Sequence, residues 1–180
     1  LRRQRQMCIR DRALMRIAEE AGAPSRLIQS VVAVNDHRKD GLAARVVAAC
    51  GGDVAGKVIA VLGLAFKPET DDMRESPALP LVRGLVSRGA SIQAFDPEAM
   101  ETARPLLPAR VTLAPDAAAA LTGADALVLV TEWNEFRVLP PARLRELMRG
   151  DVVVDLRNVF DPAPLRAAGF TYTGIGRPLP

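Results

Sequence analysis

The chain has 180 residues, 49% of them hydrophobic and 25% charged, with a net charge of +3. Such a composition suits a globular chain with one substantial core and an appendage. Aromatic residues make up 4%, so no base-stacking platform for single-stranded nucleic acid is expected.

Six arginines crowd the start, at Arg2, Arg3, Arg5, Arg10, Arg12 and Arg16. The remainder is close to neutral, which demands no nucleic-acid partner. No apolar run reaches membrane-spanning length, and no signal-peptide pattern is present. The two cysteines, Cys8 and Cys50, make no disulfide framework, and a reduced cytoplasmic compartment is the expectation. With His37 the only histidine, no His/Cys metal site is expected.

Residues 1–11 show neither a helical stripe nor strand alternation and read as a frayed arm or a foreign junction. From Arg12 to Ala21, Leu14, Ile17 and Ala18 share one helical face, and Gly22 ends it. A long helix is predicted from Ser25 to about Ala49, stopped by Gly51 and Gly52. Its apolar stripe is Leu27, Ile28, Val31, Val34, Leu42, Val46 and Ala49, interrupted at Asn35 through Arg38. A helix of that length is expected to link two domains or to pair with a copy of itself. Residues 12–55 therefore read as a helical region and 56–180 as a second domain.

In that second domain strands and helices alternate. Strands are predicted at Lys57–Phe66, Ala90–Phe95, Val111–Leu113, Ala126–Thr131, Val152–Leu156 and Phe170–Thr173. Helices are predicted at Ser76–Arg88, Glu98–Arg104, Pro115–Leu121, Ala142–Met148 and Asp161–Ala168. The rhythm implies an α/β fold with a doubly wound, mainly parallel, Rossmann-like sheet, preceded by the long linking helix.

Ligands of such sheets bind beyond the carboxyl ends of the strands. The first strand ends in Leu62-Gly63-Leu64-Ala65-Phe66-Lys67, which keeps one glycine of the dinucleotide fingerprint and adds a lysine. Asp96 ends the second strand and is read as a cap for the helix that follows. Trp133 and Phe136 follow the fourth strand and are read as cover for the sheet edge. Asp72 and Arg74 read equally as an ion pair or as ligand contacts. Arg157 follows the fifth strand and suits a phosphate, because a guanidinium donates two parallel hydrogen bonds. Lys67 and Arg157 together form a candidate anion site. No general base stands out: His37 sits among charges in mid-helix, and Cys50 lies at the wrong end of a helix for thiolate formation.

These strand ends resemble a family. Gly63-Leu-Ala-Phe-Lys-Pro-Glu-Thr-Asp-Asp-Met-Arg-Glu-Ser-Pro77 is similar to a G-x-x-F-K-x-x-T-x-D-x-R-x-S motif of the UDP-glucose/GDP-mannose dehydrogenases. Phe95-Asp96-Pro97, Thr131-Glu132-Trp133 and Asp155-Leu-Arg-Asn158 resemble three further motifs in the same order, and the wording leans toward the UDP-glucose branch. The resemblance implies oxidation of a sugar C6 alcohol to a carboxylate with NAD. It implies a central dimerisation helix, here the one from Ser25, and a UDP-binding domain from about residue 56. Lys67 and Arg157 fall on the family's substrate-binding lysine and arginine, and Phe66 is expected to line that pocket. UDP-glucose or a related UDP-sugar is the implied ligand.

The family's nucleophilic cysteine lies in a G-G-S-C-F-P-K-D-T-x-A-L motif. Ala13-Leu14 match its end, and counting back puts the cysteine at Gln6 and the aspartate at Arg10. Cys8 is thus two places off and is rejected as nucleophile, so no catalytic residue is assigned. The expectation is a C-terminal part that retains nucleotide-sugar recognition without the NAD domain. A non-catalytic dimerisation module and an independent NAD-binding domain are the alternatives.

Overall fold

The computed structural model describes residues 2–177, with side chains from Asp11 onward. It divides into two compact units, residues 1–42 and 43–180.

The first unit is a helical hairpin. Helix α1 spans Arg2–Glu20 and α2 spans Arg26–Ala49, the latter continuing into the second unit. Arg12 pairs with Asp36, and Gln29 donates to Glu19 across the hairpin. The polar break in the α2 stripe is therefore a contact line with α1. The stretch 1–11, expected to be irregular, is helical from Arg2. Arginine, glutamine and methionine favour helix, and neither glycine nor proline interrupts them. Leu27, Val31 and Val34 on α2, and Leu14 and Ile17 on α1, are exposed.

The second unit is built on a six-stranded sheet in the order β3-β2-β1-β4-β5-β6. The strands are β1 Val58–Leu62, β2 Ser91–Phe95, β3 Val111–Leu113, β4 Ala126–Leu129, β5 Val152–Asp155 and β6 Thr171–Gly174. Every pairing is parallel. Order and direction are those of a doubly wound sheet, as the alternating pattern predicts. The central strands are buried on both faces: Ile59 through Leu62 and Ala126 through Leu129 are all 0% exposed. Continuous apolar runs, and not alternation, are what that environment selects.

The connecting helices are α3 Ala78–Val86, α4 Met100–Ala103, α5 Ala117–Leu121, α6 Asn134–Arg137, α7 Pro141–Leu147 and α8 Pro162–Ala167. A short 3₁₀ turn, Arg104–Leu106, follows α4. Pro80 is tolerated in α3 because it falls in the first turn, where its missing N–H has no intrahelical acceptor. Helix α6 has no counterpart in the sequence reading, because one turn is too short to display a period. The first predicted strand, Lys57–Phe66, stops at Leu62, because Gly63 takes a φ of 92° and turns the chain. Among the other strand predictions, Val111–Leu113 matches its observed span.

At the amino ends of the strands, Asp125 clamps β1 to β4. Its carboxylate accepts from the Val58 amide at 2.8 Å and from both ends of the Arg149 guanidinium. The Arg149 hydrogen bonds hold the Asp125 carboxyl below the usual carboxylate range, against a smaller opposing effect of burial. A depressed folded-state pKa gives stability that is present above the unfolded value and lost as pH falls through the folded one. Asp125→Asn, which keeps an acceptor for the Val58 amide but loses the charge paired with Arg149, should therefore lower stability slightly at neutral pH. In urea melts, the deficit should shrink as pH falls below about 4.

Candidate anion site at the carboxyl edge

Asp96 organises the carboxyl edge. It ends β2, it is 0% exposed, and its carboxylate accepts five hydrogen bonds. Oδ2 takes the Leu64 amide at 2.7 Å, the Ala65 amide at 2.9 Å and the Trp133 indole N–H at 3.1 Å. Oδ1 takes the amides of Glu98 at 3.0 Å and Ala99 at 2.9 Å. The predicted capping role is thus present, but as one part of a larger tie. Asp96 joins the β1 loop, the turn after β2 and the segment after β4.

The β1 loop is fixed at further points. Thr131 Oγ donates to the Ala65 carbonyl at 2.7 Å, and Ser76 Oγ donates to the Leu64 carbonyl. The Phe66 amide donates to the Asp72 carbonyl at 2.8 Å. Gly63 is required here: a Cβ at that position would lie 2.5 Å from both the amide nitrogen and the Cβ of Thr131. Phe66 is 7% exposed, so most of its ring belongs to the core and only an edge reaches the surface. Lys67 is half-buried immediately after it.

Arg157 is positioned as tightly. Its backbone amide donates to Asp155 Oδ1 at 3.0 Å, and Asp155 also accepts from the Phe160 amide and the Tyr172 hydroxyl. Burial first, and the Asp155 charge second, push the Tyr172 phenol up. The guanidinium Nε donates to the Val130 carbonyl at 2.7 Å and lies 3.2 Å from Glu132. The loop bearing Lys67 and the side chain of Arg157 thus both fasten to Val130–Glu132, the end of β4. Strand register carries this arrangement, since Leu62 is level with Leu129 and Leu129 with Asp155.

Other residues resolve differently. Asp72 and Arg74 form an ion pair with two guanidinium contacts of 2.9 Å, and the Arg74 backbone amide adds a third bond of 2.9 Å; the pair holds the Asp72 carboxyl below its ordinary range. Trp133 is 8% exposed and serves as a hydrogen-bond donor as well as cover; Phe136 is fully buried. His37 is exposed on α2. Cys50 is buried, and that burial raises its thiol pKa. The side chain of Cys8 lies outside the described residues. The sequence reading missed the Glu132 partner of Arg157 and the link from Asp155 to Tyr172.

Two clefts border the 69–75 loop. One, of about 550 Å³, is lined by Glu69, Thr70, Asp71, Glu98 and Trp133. The other, of about 660 Å³, includes Asp71, Asp72, Glu75 and Arg74 in its lining. Burial and the nearby Asp96 charge together raise the Glu135 carboxyl. These carboxylates disfavour phosphate in the two clefts, and the Lys67 charge reaches Asp72 at their border.

The first turn does not fit a dinucleotide. The Leu64 and Ala65 amides, which would face a pyrophosphate, are occupied by Asp96. The next long helix begins only at Ala78, with the 63–77 loop between it and β1. In a dinucleotide fold the helix N-terminus meets the phosphates directly after the strand.

Fold and edge together define a Rossmann-like unit whose first turn is closed and whose carboxyl edge presents cations. The sequence profile of the UDP-glucose/GDP-mannose dehydrogenase family, UDP binding domain, matches residues 60–162. The chain belongs to that family. It is 48% identical to a UDP-glucose 6-dehydrogenase of Rhizobium meliloti over 92% of this chain and 38% of the relative. It is 42% identical to one from Pseudomonas aeruginosa over 93% of this chain and 38% of the relative. A solved UDP-glucose dehydrogenase from Pyrobaculum islandicum superposes with a TM-score of 0.73 at 34% identity, covering 92% of this chain and 36% of that one. The chain therefore spans well under half the length of these relatives.

Asp96→Ala should leave four buried donors and the part-buried Glu98 amide unmatched and cost about 3 kcal/mol or more. Trp133 is the single tryptophan. Its emission should shift to the red in the Asp96→Ala variant, as the indole loses its partner and the loop loosens.

Proposed function

We propose that this chain is the nucleotide-sugar-binding part of an NAD-dependent UDP-glucose 6-dehydrogenase, with Lys67 and Arg157 holding the ligand's anionic groups. The observation that supports this reading is that the loop leading to Lys67, through Ala65, and the Arg157 guanidinium both bond the segment that follows β4. A lysine supplies a point charge, and an arginine pre-aligned by Val130 and Glu132 supplies a planar fork. Phe66 contributes the apolar edge beside Lys67. In this reading Glu132 sets the guanidinium plane and does not meet the ligand.

NAD, bound elsewhere in the parent enzyme, supplies the hydride acceptor. In this reading Lys67, Arg157 and Phe66 bind and orient the substrate, and no residue is assigned as nucleophile. Cys8 is not assigned that role, because the matching position is Gln6. The chain by itself is therefore expected to bind without turning over.

A homodimer through α2 is part of the same proposal. Leu27 at 77% exposure and Val34 at 54% make an apolar face suited to a second copy of the helix. No helix among the described residues is long and apolar enough to cross a membrane. A cytoplasmic location fits this reading.

Calorimetric titration with UDP and UDP-glucose tests the site. Binding should appear in the wild-type chain. Lys67→Ala and Arg157→Ala should each weaken it about 10-fold or more, the worth of a charge-assisted contact. Absence of any heat up to millimolar ligand would count against the assignment. Addition of NAD and UDP-glucose should yield no NADH absorbance.

Sedimentation tests the dimer. The wild type should sediment as a dimer, and Leu27→Asp with Val34→Asp should convert it to a monomer without loss of helical signal. A monomeric wild type would remove the dimer from the proposal.

A further inference from the structure

Arg177 lies three residues beyond Gly174, the last residue of β6. Gly174 is level with Asp155 on β5, so Arg177 and Arg157 leave neighbouring strands at the same edge. The turn that carries Arg177 is held by other side chains. Arg45 Nη1 donates to the Gly174 carbonyl at 3.2 Å, and Asn158 Nδ2 donates to the Ile175 carbonyl at 3.0 Å. Asn158 directly follows Arg157 and takes a φ of 52°, which turns its amide toward this segment. The Arg157 loop and the Arg177 turn are thereby fastened together.

Gly174 makes that junction possible. A Cβ there would lie 2.4 Å from Asn158 Oδ1, and 3.2 Å from both Arg177 Cδ and the Tyr172 hydroxyl. Without the methyl group, the Arg177 stem folds back and sets its guanidinium 5.7 Å from the Tyr172 ring centroid. The Tyr172 hydroxyl in turn donates to Asp155 at 3.1 Å, and Asp155 accepts the Arg157 amide. Asp155 is 0% exposed and is satisfied by these inward donors, so its carboxylate does not serve as an ion-pair partner for Arg177. Among the described residues no carboxylate pairs with Arg177, and contact with an aromatic face leaves N–H edges for an anion.

We propose that Arg177 is a further anion-binding residue of this edge, contacting the diphosphate of a nucleoside diphosphate beside Arg157. The inference rests on the reading of Lys67 and Arg157 as the ligand's anchors and adds a third cation to them. The diphosphate of a nucleotide sugar carries two negative charges, and Glu132 beside Arg157 offsets part of the positive charge facing it, which Arg177 makes up.

Titrations of the full chain with UDP and with UMP, at several salt concentrations, test the assignment. Arg177→Gln should weaken UDP binding about 5- to 20-fold, as loss of one charge-assisted contact does, and should weaken UMP less. Its salt dependence should be shallower than that of the wild type, a change that mere loosening of the turn would not produce. Arg177→Lys, which keeps the charge and loses the fork, should fall between the two. A thermal melt close to the wild type's establishes that Arg177→Gln is folded. If Lys67→Ala and Arg157→Ala weaken UDP while Arg177→Gln matches the wild type, the role of Arg177 is overturned and the anchor reading stands. If the wild type itself binds no UDP, the anchor reading falls and this inference falls with it.

Discussion

A carboxylate with no solvent contact must be matched by donors, and Asp96 is matched by five of them drawn from three segments. Burial of an ionisable group is costly unless its hydrogen bonds are complete. Each donor is therefore constrained to the place where the carboxylate needs it. The β1 loop cannot leave Asp96, the turn after β2 cannot unwind, and the Trp133 indole cannot swing outward without leaving polar atoms unpaired. Lys67 inherits its position from this arrangement, because only Phe66 separates it from the anchored Leu64–Ala65 pair.

The same chemistry sorts charge across the carboxyl edge. Asp96 and Asp155 are both fully buried, and both spend their acceptors on backbone amides and ring donors. Acidic side chains that remain outside, such as Glu69, Asp71 and Glu98, gather around one cleft. Arg157 and Arg177 follow β5 and β6, while Lys67 lies in the loop after β1 within electrostatic reach of Asp72. A Rossmann-like sheet can thus be turned from dinucleotide binding to another anionic ligand without altering strand order. Here an internal carboxylate occupies the first-turn amides that a pyrophosphate would need.

The two units show different relations between pattern and burial. In the sheet unit, apolar runs and burial coincide, down to the individual residues of β1 and β4. In the helical hairpin, Leu27, Val31 and Val34 are apolar by period yet exposed. A surface stripe of this kind has the character of a packing face that these residues alone leave uncovered.

Composition and order of residues were enough to determine the α/β rhythm and the parallel sheet, but not every strand end, since β1 stops at Leu62 where its apolar run continues to Phe66. Buried parallel strands are continuous apolar runs, and glycines and aspartates mark their limits, so those features are local. Arg157 was legible because a cation just after a buried strand lies at the carboxyl edge; Lys67 lies in the loop beyond Gly63 and was legible through the run Phe66-Lys67-Pro68. Only the tertiary structure decided the partners: Asp96 with the β1 loop, Arg157 with Glu132, Asp155 with Tyr172, and Arg177 with the turn opposite Asn158. These contacts join segments distant in sequence. Their geometry depends on strand register and on which faces close together, which no local pattern encodes. Helix α6 and the helical start at Arg2 escaped the sequence reading for a related reason. A single turn, or a stretch without an apolar stripe, carries no periodicity to read.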